Sequence, residues 1–314
     1  MTAGAAPDGT IATDRAAVDA LRAGNLVILP TETVYGLAAD AANPAAVAAI
    51  FEAKGRPRFN PLIAHVADAT GAERIGVFDD RARALAAAFW PGPLTLVVPV
   101  RDRDLVSDLA RAGLDSVAIR VPGHRRARDV IAAFGGPVVA PSANRSGRPS
   151  PTTFADAIEE TGSAAAAAID GGDCAVGVES TVVSVLDGRV SLLRPGAVTR
   201  AEIEALVGPL DTGGQGHRSP GRLALHYAPD APVRIEATDA REGEILLGFG
   251  PGSGDPRWSL SPTGDLREAA ANLFRMLREA DREHPVGIAV APVPDHGLGE
   301  AINDRLRRAA GFVG

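Results

Sequence analysis

The stretch STVVSVLDGRVSLLRP, Ser180–Pro195, contains two runs of branched apolar residues joined by Asp187-Gly188. Asp-Gly favours the two-residue turn in which both central residues take a positive φ, so a β-hairpin is expected here. Upstream, the strand-like runs LVILP, LIAHV, LTLVVPV, SVAIRVP and PVVAPS follow or alternate with helical segments. DRAAVDALRAG, from Asp14, ends on glycine, and AVAAIFEAKG is opened by Asn43 as a cap with Pro44 in the first turn. Apolar runs separated by helices, with a hairpin at their end, predict an α/β domain on a mixed sheet that closes near Val198.

After a short helix in AEIEALVG, the segment GPLDTGGQGHRSPGRLALHYAPDAP is rich in Gly and Pro and has no period. It reads as a linker, although its core SPGRLALHYAP is specific for a spacer. From Val233 a second α/β pattern begins with VRIEA and EILLGFG, continues through a helix in SPTGDLREAAANLFRMLREAD and the strand VGIAVAPV, and closes with a helix in GLGEAINDRLRRAAG. Ser261 or Thr263 is the expected cap of the first of these helices, whose Leu266, Ala270, Leu273 and Leu277 share a face. The expected organisation is a flexible N-terminus over 1–13, a catalytic domain over 14–200, a linker or lid over 201–231 and a smaller α/β domain over 232–314.

A chain of 314 residues with 46% hydrophobic residues can bury two cores. Its formal net charge of −7 argues against a basic nucleic-acid-binding domain. The cationic run His124–Arg128 reads as the solvated first turn of a helix. Cys174 is the sole cysteine, so neither an intrachain disulfide nor a cysteine metal cluster is available, in keeping with a reducing cytoplasm. MTAGAAPDGTIATD has no cationic start followed by an apolar run, and no stretch reaches the ~18 apolar residues of a membrane span. A cytoplasmic protein is expected.

Several expected strands carry polar residues at their ends: PTETVYGL after LVILP, KGRPRFNP before LIAHV, Arg120 in SVAIRVP, and SANRSGRPSP after PVVAP. Ligands of α/β sheets bind at such ends. Lys54 is the only lysine, the other 31 of the 32 basic residues being arginine. A compact ammonium reaching one oxygen, which a planar guanidinium cannot replace, is one reading, and an ordinary surface lysine is the other. GxxxxGK[ST] and GxGxxG are absent, and GFGPGSG, Gly248–Gly254, has the wrong spacing for either. The histidines lack metal-ligand spacing, and Ser142 has no neighbouring base, so it reads as a hydrogen-bonding hydroxyl rather than a nucleophile.

The ordered blocks PTETVYGL, KGRPRFNPLIAHV, WPGPLTLVV, SVAIRVP, APSANRSGRPSPT, GVESTVVSV and LLRPGAV resemble the threonylcarbamoyl-AMP synthase family, whose core is a YrdC-type domain. SPGRLALHYAP and the terminal α/β unit resemble its long form, so the resemblance runs from about Asp14 to the end. It implies an open twisted mixed sheet with helices, followed by a smaller Rossmann-like domain. It implies a nucleotidyltransferase that joins L-threonine, bicarbonate and ATP into threonylcarbamoyl-AMP with release of pyrophosphate, Mg²⁺ accompanying the ATP phosphates and no metal held by the protein. The product would pass to a downstream threonylcarbamoyl transferase for tRNA modification, with contact to tRNA itself as a further implied partner. Lys54 and Arg56 would be the catalytic cations. Arg56, Asn60, Ser116, Ser142, Asn144, Ser150, Arg194 and Tyr227 would hold ATP. Thr33, His65, Arg120, the Ala140 backbone and Ser180 would hold threonine. The residues leave open which group takes the proton from threonine's amine. The alternative is a module that binds tRNA or double-stranded RNA without turnover, with salt-sensitive affinity.

Overall fold

The structure, a computed structural model, describes residues 14–57, 59–211 and 226–311. A nine-stranded sheet is formed by β1 (Leu26–Leu29), β2 (Gly36–Asp40), β3 (Ile63–His65), β4 (Leu94–Pro99), β5 (Ser116–Arg120), β6 (Val138–Val139), β7 (Ala165–Ala168), β8 (Thr181–Leu186) and β9 (Arg189–Arg194), in the order β7-β1-β2-β6-β3-β5-β4-β8-β9. The expected hairpin is β8–β9, with Asp187 and Gly188 at φ of 51° and 71°. Pairs β1–β7, β3–β5 and β4–β8 are parallel and the others antiparallel, so the sheet is mixed. β2 and β7 are GLAAD and AAAA, which do not read as strands; pairing with the apolar β1 on both sides overrides their low β-propensity.

Side chains alternate across the sheet, and the two faces are covered unequally. On one face Leu62, Ala64, Leu96, Ile119 and Val183 join the largest core with the helices Pro44–Lys54 and Asp80–Phe89. On the other, helices Asp14–Arg22 and Arg125–Phe134 cover only the β7-β1-β2-β6 end, through Val18, Leu21, Val130 and Ile131 against Val27, Leu29 and Val138. The remainder of that face carries a small cluster of Val97, Ala118 and Val182. The His124–Arg128 run is the start of the second of these helices, as expected, with Arg126 paired to Asp14 at 2.8 Å.

A second, all-parallel sheet has the order β10-β13-β11-β12, from β10 (Val233–Arg234), β11 (Glu244–Phe249), β12 (Ser259–Ser261) and β13 (Gly287–Val290). It packs on the helix Leu266–Arg282, whose Ala270, Leu273 and Leu277 are buried with Leu266 beside them. The cap of this helix is Asp265, not Ser261 or Thr263: its carboxylate accepts from the N–H groups of Arg267 and Glu268. Ser261 instead accepts from the Asp265 N–H and donates to Glu268.

The two units share a core. Val34, Val178 and Tyr227 pack in one cluster with Leu247, Phe274 and Ile302. Gly177, at φ 74°, lies so close to the helix Leu266–Arg282 that a Cβ would come within 2.4 Å of the Ala271 Cα. Arginines reinforce the contact: Arg278 donates to Glu160 at 3.0 Å and to the Pro149 oxygen, and Arg282 reaches Glu159 at 2.6 Å. Residues 1–13 and, within the expected linker, 212–225 lie outside the described residues.

Candidate active site

The sparsely covered part of the sheet face holds a cavity lined by Thr33, Arg56, His65, Arg120, Ala140, Ser142, Glu179, Ser180, Arg194, His226 and Tyr227, among others. The sequence places these residues at strand ends; the structure draws them from strands spread across the sheet and from adjoining loops. His65, Arg120 and Arg194 end β3, β5 and β9, and Ser180 immediately precedes β8. Thr33 comes from the β1–β2 loop and Ser142 from the exit of β6, tied by an isolated bridge to Gly36 at the start of the neighbouring β2. The cavity therefore lies over the face, where His65 and Ile63, two residues apart, point the same way.

One end of the cavity is built around Arg120. It is buried, and three of its five N–H groups are taken: Nε by the Gly92 oxygen at 3.2 Å, Nη1 by Thr33 Oγ1 at 2.9 Å and Nη2 by Glu32 Oε1 at 2.6 Å. Burial alone would raise the Glu32 carboxyl, but the Arg120 charge and hydrogen bond hold it below the usual range. The second Glu32 oxygen accepts from the Gly123 N–H at 2.8 Å, so the pair is anchored at both ends. Thr31 Oγ1 accepts from the N–H groups of Thr33 and Val34 at 3.2 Å, which fixes the loop that presents Thr33.

His65 pairs with Arg120 in register on the parallel strands β3 and β5. Burial, then the Arg120 charge, lower its pKa to about 3, so the imidazole is neutral. Nδ1 lies 3.1 Å from the Ile63 oxygen and carries the proton, leaving Nε2 as an acceptor. Two donors on Arg120 and an acceptor on His65 together suit a small zwitterion, which presents a carboxylate and an ammonium.

The other end is cationic. Arg194 donates through Nε and Nη2 to the Ser180 oxygen at 3.1 and 2.9 Å, and the Ser180 hydroxyl lies 2.8 Å from Thr95 Oγ1. Arg56 Nε is buried without a hydrogen-bond partner, and burial, opposed by Tyr227, lowers the pKa of the group to about 10. Asn60 Oδ1, Asn144 Oδ1 and His226 Nδ1 are also buried and unpartnered. Tyr227 is buried at a φ of 63°, its ring centre 5.3 Å from that of Phe274 and tilted 34° to it. The space left is about 50 Å³, room for a few water molecules and not for a nucleotide.

Other expected site residues lie beside the cavity or away from it. The Lys54 ammonium donates to the backbone oxygens of Ser142 and Asn144, behind the wall that Ser142 forms. Asn144 donates to the Arg145 and Arg148 oxygens at 2.7 and 2.9 Å and shapes its own loop. Ser150 donates to Glu179 at 2.5 Å. Ser116 opens β5 opposite Pro99, four residues before Arg120, and so sits ~13 Å along the strand from the arginine. Glu179 is a residue the motifs did not single out. It is the only carboxylate among the lining residues, and its second oxygen accepts from Arg305 of the C-terminal unit at 3.1 Å.

The family described as Telomere recombination, the Sua5, YciO and YrdC group, matches residues 19–196. The family described as Threonylcarbamoyl-AMP synthase, C-terminal domain, matches residues 198–311. The Threonylcarbamoyl-AMP synthase of Bacillus subtilis is 41% identical and aligns over 93% of this chain and 91% of its own. The crystal structure of Pyrococcus abyssi Sua5 complexed with L-threonine superposes with a TM-score of 0.86 at 38% identity, over 95% of this chain and 94% of that one. Full-length HypF in the phosphate- and nucleotide-bound form, 17% identical with a TM-score of 0.51 over 60% of this chain, shares the fold alone.

Proposed function

The chain belongs to the threonylcarbamoyl-AMP synthase family, and we propose that its cavity makes threonylcarbamoyl-AMP and pyrophosphate from L-threonine, bicarbonate and ATP. The observation that carries this reading is the division of one cavity into a zwitterion end at Arg120, Thr33 and His65 and a cationic end at Arg56 and Arg194. Two substrates bound at its ends would meet between them, which supplies much of the advantage an enzyme offers to a condensation.

Threonine's carboxylate takes the two free Arg120 N–H groups, and His65 Nε2 accepts from its amine or hydroxyl. The ammonium first releases one proton to solvent; the free amine then attacks the carbonate carbon, an N–C bond forms, and the second proton leaves with the departing hydroxyl as water, giving a carbamate. With a pKa of about 3, His65 is too weak a base to hold the amine's proton near neutrality, so it orients the nucleophile and the proton goes to the departing carbonate oxygen. The carbamate oxygen then attacks the α-phosphorus of ATP and pyrophosphate leaves, a nucleotidyl transfer. Arg56 and Arg194 face the developing negative charge in a buried setting, where preorganised cations are most effective.

Nucleotide cannot enter the space as it stands, so His226 and Tyr227 must move to admit it and return to exclude water from the carbamate. The one carboxylate of the lining, Glu179, has both oxygens engaged by Ser150 and Arg305, so the donor set does not suit a protein-held metal. Mg²⁺ is assigned to the ATP phosphates. The product would serve a downstream threonylcarbamoyl transferase in tRNA modification, in the cytoplasm, and tRNA contact is part of the same proposal. Among the described residues no helix is long and apolar enough to cross a membrane. Pyrophosphate release from ATP that requires both L-threonine and bicarbonate tests the reading; release with either one omitted contradicts it.

A further inference from the structure

The C-terminal unit reaches the cavity wall with one fully buried side chain, Arg305, on the helix Leu298–Ala309. Its Nε donates to Glu179 Oε2 at 3.1 Å and its Nη1 to the Pro195 oxygen at 2.6 Å, while the guanidinium carbon lies 5.6 Å from the Tyr227 ring centre. Glu179 and Tyr227 line the cavity, and Pro195 follows the lining residue Arg194. The three contacts therefore converge on the cationic end.

A bare carboxylate there would oppose a polyanion in a poorly solvated space, where like charges repel most strongly. We propose that Arg305 is a positioning residue of the reaction, which neutralises Glu179 so that the cationic end accepts the triphosphate. The C-terminal unit thus contributes charge to the site and does not merely cover it. This rests on the reading of the cavity as the ATP site.

The other groups facing Glu179 are Ser150, Arg194 on β9, Lys54 at the end of the helix Pro44–Lys54, and His226 and Tyr227, with Arg56 lining the same cavity. Asp304 adjoins Arg305 at 3.0 Å. With Arg305 present, its charge and that of Arg194 outweigh burial and keep Glu179 ionised. With Arg305 removed, the main ion-pair partner is lost and burial pushes the carboxyl upward. Nucleotide binding should then improve as pH falls and Glu179 takes up a proton. His226, whose pKa burial lowers to about 3, stays neutral over the same range.

The test measures ATP·Mg²⁺ affinity without threonine, by titration calorimetry at pH 8 and pH 6, with melting curves for each protein. It compares wild type, Arg305→Met, Arg305→Lys and Glu179→Gln/Arg305→Met, and referring each to wild type at the same pH cancels the titration of ATP. Arg305→Met should bind ATP about tenfold more weakly at pH 8 and recover most of that loss at pH 6, with threonine affinity little changed. The double variant should bind nearly as wild type at both pH values, and Arg305→Lys should retain most of the affinity. Single and double variants weakened alike, for both substrates and at both pH values, would mean that Arg305 is only structural and overturn the proposal. If Arg305→Met does not fold, the double variant decides the matter by the same comparison. Wild-type protein that binds no ATP overturns the reading of the cavity and this proposal with it.

Discussion

The ammonium of Lys54 is hydrogen-bonded to the backbone oxygen of Ser142, 88 residues further along the chain. A second bond, to the Asn144 oxygen, makes the chain's one lysine the support of the loop leaving β6. Burial, then the Arg56 charge, depress its pKa well below that of a free lysine, and two carbonyls are what it has in return. A guanidinium is wider and planar, and cannot be seated between the same two oxygens without moving the loop. Lys54→Arg should therefore lower turnover at least tenfold and lower the melting temperature as well, whereas Arg56→Lys should weaken ATP binding with little change in melting. Lys54→Arg with normal turnover and melting would make the lone lysine an accident of composition.

Arg120 is held by Glu32, Thr33 and Gly92 before any ligand arrives, so its free N–H groups are already aimed. Arg120→Ala removes the carboxylate partner and leaves Glu32 buried without its ion pair, at a cost of about 2 to 5 kcal/mol. Threonine affinity should fall by about thirtyfold or more, at ~1.4 kcal/mol per tenfold, with a much smaller effect on ATP. Binding isotherms for each substrate decide this, and equal weakening of both would reduce Arg120 to a structural residue.

His65 and His226 both have pKa values of about 3, against 6.5 for free histidine, with burial the main cause. Between pH 6.5 and 4.5 the unfolded chain binds a proton at each site and the folded chain does not, so stability must fall as pH falls. The slope approaches about 1.4 kcal/mol per pH unit for each histidine, in a window above the carboxylate range. Urea unfolding at pH 7 and pH 5 should show the loss, and His65→Gln should remove about half of it. A stability unchanged between those pH values would show that neither imidazole is buried neutral.

The sequence carried the fold where residue type and environment agreed. The Asp187-Gly188 turn, the Asn43 cap and the apolar strands were legible because each is fixed by local chemistry. Alanine-built β2 and β7 were not, since their extended conformation comes from neighbours far away in sequence. The cap at Asp265 was obscured by Ser261 and Thr263, which have the same capping chemistry. At the site, the motif residues Thr33, Arg56, His65, Arg120, Ser142, Ser180, Arg194 and Tyr227 meet in one cavity. Lys54, Asn60, Ser116, Asn144 and Ser150 lie outside its lining, because a motif fixes sequence neighbours and not the direction of a side chain or the end of a strand. Arg305 passed as one of several arginines closing a helix. Its position three residues after Ile302 and one before Leu306, on the buried face of that helix, was the available signal.

The central claim is that one cavity joins three substrates, and carbon-labelled bicarbonate tests it most directly. Incubated with ATP, Mg²⁺ and L-threonine, the purified chain should place the label in an adenylate that yields AMP and threonine on hydrolysis, one pyrophosphate appearing for each label incorporated. Omission of any substrate, or Arg120→Ala at low threonine, should abolish incorporation. Pyrophosphate without labelled adenylate, or tight ATP and threonine binding with no incorporation under any condition, would contradict the account.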